Sequence, residues 1–150
     1  MIWRSKPIGL ALVGCGNIGR VHAQAMQRNK RCRLVSVFDP ERERAEQIAR
    51  EFSAKRVPAD FKTILEDPEV EGVVLATPHH VHLEQTLQAL DAGKHVRLSR
   101  PAGLAAYATS SGAVWCTNGT RAAAGHTTLR EPAAGLSTAT RFTKWMLCCI

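Results

Sequence analysis

Short apolar runs alternate with amphipathic segments over the first hundred residues of the chain. Residues 8–13, 34–38 and 72–76 are almost wholly apolar, as in strands buried on both faces of a parallel sheet. Another strand is predicted to begin at residues 95–98, and a short, weaker one is predicted at residues 56–57. The pattern therefore predicts a sheet whose strands are separated by longer segments.

Apolar residues at helical spacing follow the first two strands. Pro40 is a good first residue for the second helix, because proline suits the first helical position. The residues predicted to form the apolar faces of the two helices are Ile18, Val21 and Ala25 in the first, and Ala45, Ile48, Ala49 and Phe52 in the second.

Two further helices are predicted later in this region. Asp60 is placed to cap a brief helix over residues 61–65, which Asp67-Pro68 ends. The last helix ends at Gly93 in the manner of a C-terminal cap. Its apolar positions are Leu83, Leu87 and Leu90.

The alternation of strands and helices predicts the fold class. Short links between them favour right-handed crossovers, so we expect an α/β fold with a doubly wound parallel sheet in residues 1–101. Residues 102–150 are dominated by Ala, Thr, Gly and Ser, and their large apolar residues follow no sustained period. We expect this tail to be irregular or disordered, the sheet to be incomplete, and its strand at residues 95–98 to have an open edge.

Composition and charge narrow the function classes. The chain has 150 residues, of which 45% are hydrophobic, as in an ordinary globular domain. Its net charge is +7, but the sixteen basic and twelve acidic residues up to Pro101 are mixed, and the remaining basic residues are dispersed in the tail. No basic patch or aromatic platform accompanies the charge, so we do not expect nucleic-acid binding.

Cysteine usage and hydropathy predict a cytoplasmic protein. No run approaches the roughly 18–20 apolar residues of a membrane span, so no membrane association is expected. The cysteines are odd in number and lack CxxC or Cys/His metal spacing, which indicates reduced thiols. They are Cys15, Cys32, Cys116, Cys148 and Cys149.

A glycine-rich turn lies between the first strand and the first helix. Residues 14–19 read Gly-Cys-Gly-Asn-Ile-Gly, which is the GxGxxG pattern, and Asp39 ends the next strand twenty residues after Gly19. A strand, this turn, a helix and a following acid are together typical of a dinucleotide-binding site. The predicted fold is therefore a Rossmann-type α/β fold.

Each residue of the turn has an expected role in holding the cofactor. Gly14 makes the tight turn, Gly16 lets the backbone approach the pyrophosphate, and Gly19 allows close packing of helix and strand. Asn17 and Ile18 begin the helix, whose unpaired N–H groups and positive dipole attract phosphates.

The acid predicts which dinucleotide is bound. Asp39 would accept hydrogen bonds from the adenosine ribose hydroxyls and would repel the 2'-phosphate of NADP, so NAD is expected. Arg42 and Arg44 leave NADP possible, because either could clamp a phosphate. Arg42 and Arg44 are also explained as solvated positions of a charged helix, and this explanation is favoured.

Four segments resemble the glucose-fructose oxidoreductase, inositol dehydrogenase and MocA (Gfo/Idh/MocA) family. Together they cover roughly residues 7–101. The most specific is the third, with an apolar strand, Thr-Pro, a turn, a His and a helix that ends in Ala-Gly-Lys-His-Val. The segments read VGCGNIGRVHAQAM, VSVFDPERERAEQIA, DFKTILEDPEVEGVVLATPHHVHLEQTLQALDAGKHV and RLSRP.

The resemblance implies a second group of cofactor residues. It places Thr77, Pro78 and His79 along the nicotinamide half of the cofactor, and His82 belongs to the same pattern. From the residues alone, His82 is also explained as a histidine at a helix start that is satisfied by the backbone. A metal site at His79, His80 and His82 is a further alternative, but no carboxylate or cysteine spacing accompanies these residues, so no metal is expected.

The resemblance ends after the strand at residues 95–98. The family carries Glu-Lys-Pro there, with the Lys beside the nicotinamide and the substrate, whereas this chain has Ser99-Arg100-Pro101. Arg100 keeps the positive charge but does not release a proton, so no catalytic residue is assigned. Nothing after Pro101 resembles the family's second domain, which carries the substrate pocket.

The function implied by the resemblance is that of an oxidoreductase domain. Full-length members transfer a hydride between the nicotinamide and a hydroxyl carbon, commonly of a sugar or cyclitol. From this chain we expect cofactor binding without turnover. The alternative is a non-catalytic dinucleotide-binding or interaction module. The oligomeric state is left open.

The abrupt change near residues 97–102 predicts that a frameshift or a misplaced boundary has replaced the family sequence. Translation of the coding DNA in the other two frames is expected to recover a continuation with Glu-Lys-Pro and an acidic amphipathic helix. The hypothesis fails if neither frame contains such a continuation.

Overall fold

A sheet with helices on both sides organises the chain in the computed structural model, which describes residues 6–99, 104–108 and 114–118. Its elements in chain order are β1 (Ile8–Val13), α1 (Asn17–Arg28), β2 (Cys32–Phe38), α2 (Arg42–Phe52), α3 (Phe61–Glu66), β3 (Gly72–Leu75), α4 (His79–Asp91), β4 (His95–Ser99), β5 (Leu104–Ala108) and β6 (Val114–Asn118).

The strand order creates the edge at which a ligand can bind. The order is β2-β1-β3-β4-β5-β6, and the pairs among the first four strands are parallel. The chain leaves β1 toward β2 on one side and returns to β3 on the other. Ligands of such sheets bind where the strand order reverses, at the carboxyl ends of the strands. Here that point lies between Val13, which ends β1, and Leu75, which ends β3.

Alternate residues of β1 supply the two halves of the core. Leu10 and Leu12 face α1 and α2, whereas Ala11 and Val13 face α3 and α4. Because helices cover both faces, the strands are apolar at consecutive positions, which confirms the interpretation of the short apolar runs. The α/β fold with a parallel, doubly wound arrangement is confirmed for the first four strands.

Several helix predictions are confirmed. The Oδ1 atom of Asp60 accepts a hydrogen bond from the backbone N–H of Thr63 at 2.7 Å and caps α3. Gly93, just after α4, has a φ of 72°, which suits glycine at a helix end. The apolar stripe predicted for α2 is buried as a whole, and it consists of Ala45, Ile48, Ala49 and Phe52.

The buried face predicted for α1 is wrong. Ile18 and Val21 are 53% and 59% exposed, and the helix instead buries Gly19, Ala23 and Met26. The start of the helix lies so close to the end of β1 that only small side chains fit between them. The larger aliphatic residues are therefore on the outer face, although their spacing is helical.

The face predicted for α4 is wrong at two of its three positions. Leu83 and Leu87 are 72% and 53% exposed, and Leu90 is half-buried. The buried residues of this helix are His82 and Ala89. A small residue at position 89 lets the helix approach the sheet, so apolar spacing alone did not identify the packed side.

Two local predictions about the β2–α2 region also need correction. The weak strand at residues 56–57 is a single bridge between Ser36 and Arg56. Pro40 is not the first helical residue, since α2 begins at Arg42 with Glu41 as its N-cap. The cause is a hydrogen bond from the backbone N–H of Glu41 to the side chain of Asp39, which forms a separate turn before the helix.

The strand at residues 95–98 does not have the open edge that we expected. β4 pairs antiparallel with β5, and β5 pairs antiparallel with β6. Both added strands come from the tail, so residues 104–108 and 114–118 depart from the irregular conformation expected there. The rest of the tail lies outside the described residues.

Two further findings concern the chemistry of the chain. Cys15 and Cys32 are buried free thiols, whereas Cys116, Cys148 and Cys149 have no described side chain. None of the helices in the described ranges is long and apolar enough to cross a membrane.

The packing predicts very different costs for two truncations of aliphatic side chains. Ile64 of α3 is fully buried, so Ile64→Ala is expected to lower the free energy of unfolding by about 2–5 kcal/mol. Leu83→Ala on the exposed face of α4 is expected to change it by less than about 0.5 kcal/mol. Urea unfolding of both variants tests the assignment, and a larger loss for Leu83→Ala would contradict it.

Candidate functional site

The glycine-rich turn and the loop after β3 meet at the point where the strand order reverses. Gly14 has a φ of 95°, a left-handed conformation that favours glycine. A Cβ atom added to Gly14 would lie 2.7 Å from the carbonyl of Ala76 and 2.9 Å from the nitrogen of Thr77. The backbone N–H of Ala76 also donates to the carbonyl of Val13 at 2.7 Å. The tight turn therefore brings residues 14–19 against Thr77.

The other two glycines of the motif differ in what they require. A Cβ atom on Gly19 would lie 2.1 Å from the carbonyl oxygen of Gly14, so the fold itself requires a glycine there. Gly16 has φ −70° and ψ −170°, which other residues adopt readily. A Cβ atom on Gly16 would meet no described atom within 4 Å. The fold does not require glycine at this position, and the space beside its backbone is open.

The start of α1 provides hydrogen-bond donors beside that space. Gly16 is the N-cap, no side chain in the described residues caps the helix, and the carbonyl of Gly16 accepts from the backbone N–H of Arg20 at 3.0 Å. The backbone N–H groups of Asn17, Ile18 and Gly19 precede this first helical bond. Together with the helix dipole, they form an environment suited to a phosphate group.

Asp39 joins the glycine turn to the loop after β2. Its Oδ2 atom accepts a hydrogen bond from the backbone N–H of Cys15 at 2.7 Å, and its Oδ1 atom accepts one from the backbone N–H of Glu41 at 2.8 Å. These two bonds fix the orientation of the carboxylate. Each oxygen retains a further acceptor position, so the group can still accept hydrogen bonds from hydroxyls of a ligand.

The thiol of Cys15 is not a candidate nucleophile. Burial raises its pKa to about 12, and the nearby Asp39 carboxylate adds to that rise, whereas the Arg44 guanidinium opposes it. Its Sγ atom lies 3.8 Å from the carbonyl oxygen of Phe38. The thiol is therefore protonated at neutral pH, and the contribution of Cys15 to the site is its backbone N–H.

The side of the site beyond β3 is organised by His82. Its Nε2 atom lies 2.6 Å from the carbonyl oxygen of Thr77 and donates to it, because a carbonyl only accepts. The hydroxyl of Thr77 donates to Oε1 of Gln85 at 2.7 Å. Pro78 is the N-cap of α4, and the exposed His79 ring packs edge-on against His82 at 5.2 Å. His82 thus fixes the loop from which Thr77, Pro78 and His79 extend.

His79, His80 and His82 are the metal ligands that the sequence left as an alternative. Among the residues that the structure describes, no group of three or more His, Cys, Asp or Glu side chains could hold a metal ion. His22 of α1 packs against β4, where its Nδ1 atom lies 3.5 Å from Nη1 of Arg97. Burial, with the Arg97 charge, lowers the pKa of His22 to about 4, so it is neutral at pH 7.

The structure brings together most of the residues predicted from the sequence. Residues 14–19, Asp39 and Thr77 lie at one edge of the sheet, whereas Arg100 lies outside the described residues. Sequence reasoning missed the partners of these residues, namely Glu41 and Gln85. The Asp-Pro-Glu sequence at residues 39–41 carried a signal for Glu41, since aspartate often accepts from the backbone two residues later.

Comparison with known proteins agrees with this geometry. The family model described as an oxidoreductase family with an NAD-binding Rossmann fold (GFO_IDH_MocA) matches residues 8–111. An inositol 2-dehydrogenase of Rhodococcus jostii is 38% identical over 98 residues, which are 65% of this chain and 27% of that enzyme. The chain spans less than a third of the length of the curated relatives that it matches.

Solved structures match the same region. Myo-inositol dehydrogenase from Lactobacillus casei, in complex with NAD(H) and myo-inositol, is 26% identical with a TM-score of 0.61, and the match covers 64% of this chain and 29% of that chain. A variant of KijD10, a 3-ketoreductase from Actinomadura kijaniata in complex with TDP-benzene and NADP, is 26% identical with a TM-score of 0.60, over 64% of this chain and 31% of that chain. The family model covers well over half of the chain, and the sheet order and glycine turn agree with it. The chain therefore belongs to the Gfo/Idh/MocA family of oxidoreductases, and the matched region is its NAD-binding Rossmann domain.

Proposed function

We propose that residues 14–19, Asp39, Thr77, Pro78, His79 and His82 bind NAD across the carboxyl edge of β1, β2 and β3. The observation that carries this proposal is Gly16, whose conformation does not require glycine and whose missing side chain leaves the backbone open to a ligand. The adjacent N–H groups of α1 suit a pyrophosphate. When bound, the nicotinamide of NAD supplies hydride transfer.

The carboxylate of Asp39 supports a preference for NAD over NADP. Two backbone N–H groups hold it in place, so it cannot easily turn away from a ligand. A fixed carboxylate accepts hydrogen bonds from ribose hydroxyls, and it repels a 2'-phosphate. NADP in a related 3-ketoreductase structure indicates that the family also accommodates the second dinucleotide.

The activity of the whole protein is a further part of this proposal. Relatives named as inositol dehydrogenases suggest that a full-length protein transfers a hydride to or from a hydroxyl carbon of a cyclitol or sugar. We assign cofactor binding to residues 1–101 and no substrate site to residues 102–150. The sequence Ser99-Arg100-Pro101 favours the alternative of a non-catalytic dinucleotide-binding module for this chain. The cytoplasmic location stays a prediction.

Substitution of Gly16 tests the cofactor site without disturbing the fold. Gly16→Val is expected to weaken NAD binding by about tenfold or more, because the side chain fills the space needed by the pyrophosphate. Its unfolding temperature is expected to fall by only a few degrees, because valine is a poorer N-cap than glycine but would meet no described atom. Gln24→Ala, at an exposed position of α1, is the matched control and should change neither quantity. Calorimetric titration with unchanged NAD affinity in Gly16→Val would contradict the assignment.

Substitution of Asp39 tests the choice of dinucleotide. The unmodified chain is expected to bind NAD more tightly than NADP in fluorescence titrations. Asp39→Asn keeps an oxygen acceptor but removes the charge, so NAD binding should weaken by about tenfold and the penalty against NADP should shrink. Tighter binding of NADP than of NAD by the unmodified chain would overturn the argument from Asp39.

A further inference from the structure

Ion pairs along α2 divide the arginines that follow Asp39 into two groups. The Nε atom of Arg42 lies 2.9 Å from Oε1 of Glu46, and Glu46 also pairs with Arg50 at 3.3 Å. These pairs run along the helix, away from the glycine turn. The Nε atom of Arg44 instead lies 2.7 Å from Oε2 of Glu41, at the start of the helix. The Arg44 guanidinium is therefore held at the start of α2, next to the turn that contains Asp39, whereas the Arg42 guanidinium is paired with Glu46 one turn further along the helix.

Glu41 and Asp39 are held in one turn. The backbone N–H of Glu41 is the second donor to the Asp39 carboxylate, and the carbonyl of Glu41 accepts from the backbone N–H of Arg44 at 3.0 Å. The positive charge of Arg44 also reaches the glycine turn, since it acts against the rise in the pKa of the Cys15 thiol. The guanidinium thus lies beside the turn that holds Asp39, and its charge acts on the glycine turn.

We propose that Glu41 is a specificity-positioning residue, whose carboxylate holds and neutralises the Arg44 guanidinium and so withholds it from the 2'-phosphate of NADP. This inference rests on the proposed binding of a dinucleotide at Asp39. An arginine beside the acid is the group that accommodates a 2'-phosphate in such folds. Here that arginine already has a carboxylate partner, which adds a second barrier to NADP beyond the charge of Asp39.

The size of the effect follows from the exposure of the pair. The side chains of Arg44 and Glu41 are 58% and 54% exposed, and exposed ion pairs are weak. Release of Arg44 is therefore expected to change NADP affinity by about threefold to fivefold. The shift should be largest at low ionic strength, because salt screens charges at the surface.

Four variants of the full chain test this inference. Glu41→Gln should tighten NADP binding by about threefold to fivefold at low salt and leave NAD binding within about twofold. In the Arg44→Gln background the same substitution should have little effect, because there is no guanidinium to release. Glu46→Gln is the matched control on the same helix, since it removes the carboxylate charge that pairs with Arg42. It should not alter the ratio of the NADP and NAD affinities. Dissociation constants for both dinucleotides come from calorimetric titration, and unfolding temperatures verify that each variant is folded.

The outcomes separate this inference from the proposed function. An equal gain from Glu41→Gln with and without Arg44 would show that Glu41 acts only through its own charge, and would overturn the inference. The inference also fails if Glu41→Gln changes nothing or if Glu46→Gln has an equal effect, while NAD binding by the unmodified chain still supports the proposed function. Failure of the unmodified chain to bind either dinucleotide would overturn both.

Discussion

The two hydrogen bonds that backbone N–H groups donate to the Asp39 carboxylate connect the glycine turn of the candidate site to the loop after β2. One comes from Cys15 in the glycine turn, and the other comes from Glu41 before α2. They link the end of β2 to the glycine turn that follows β1, and the bond from Glu41 forms the turn that precedes α2. Charge-assisted hydrogen bonds of this kind are among the stronger polar interactions in proteins. The arrangement of the glycine turn and the loop after β2 thus depends on the side chain of Asp39.

The apolar runs in the sequence predicted the first four strands well, because strands covered on both faces need consecutive apolar residues. The helix faces were harder to predict. In α1 the contact with β1 is so close that Gly19 and Ala23 pack while Ile18 is exposed. The period of the sequence shows only where apolar residues recur. Burial in this helix depends instead on which side chains are small enough to fit against the strand. The pairing of β5 with β4 was missed because the tail has no sustained period.

For the candidate site too, the sequence predicted some features and missed others. Spacing located the glycine turn and Asp39, because the motif fixes their separation along the chain, although the Asp39–Cys15 hydrogen bond joins residues 24 positions apart. The sequence left several explanations for His82 open, and its hydrogen bond to the Thr77 carbonyl fits the one in which the backbone satisfies the ring. The different partners of Arg42 and Arg44 could not be predicted, because both lie near Asp39 in the sequence and differ only in the direction of their side chains.

Binding of the cofactor and transfer of the hydride are expected to depend on different parts of the chain. The first part consists of the glycine turn at residues 14–19 and the adjoining loop after β2. There the backbone N–H groups of Cys15 and Glu41 donate hydrogen bonds to the Asp39 carboxylate. On the other side of the site, His82 fixes the loop that carries Thr77, and Arg100 stands where the resemblance implies a lysine beside the nicotinamide. The phosphate and ribose contacts proposed for the glycine turn and Asp39 do not involve that position, so binding can be measured independently of hydride transfer. Binding measurements are therefore the appropriate test of this domain.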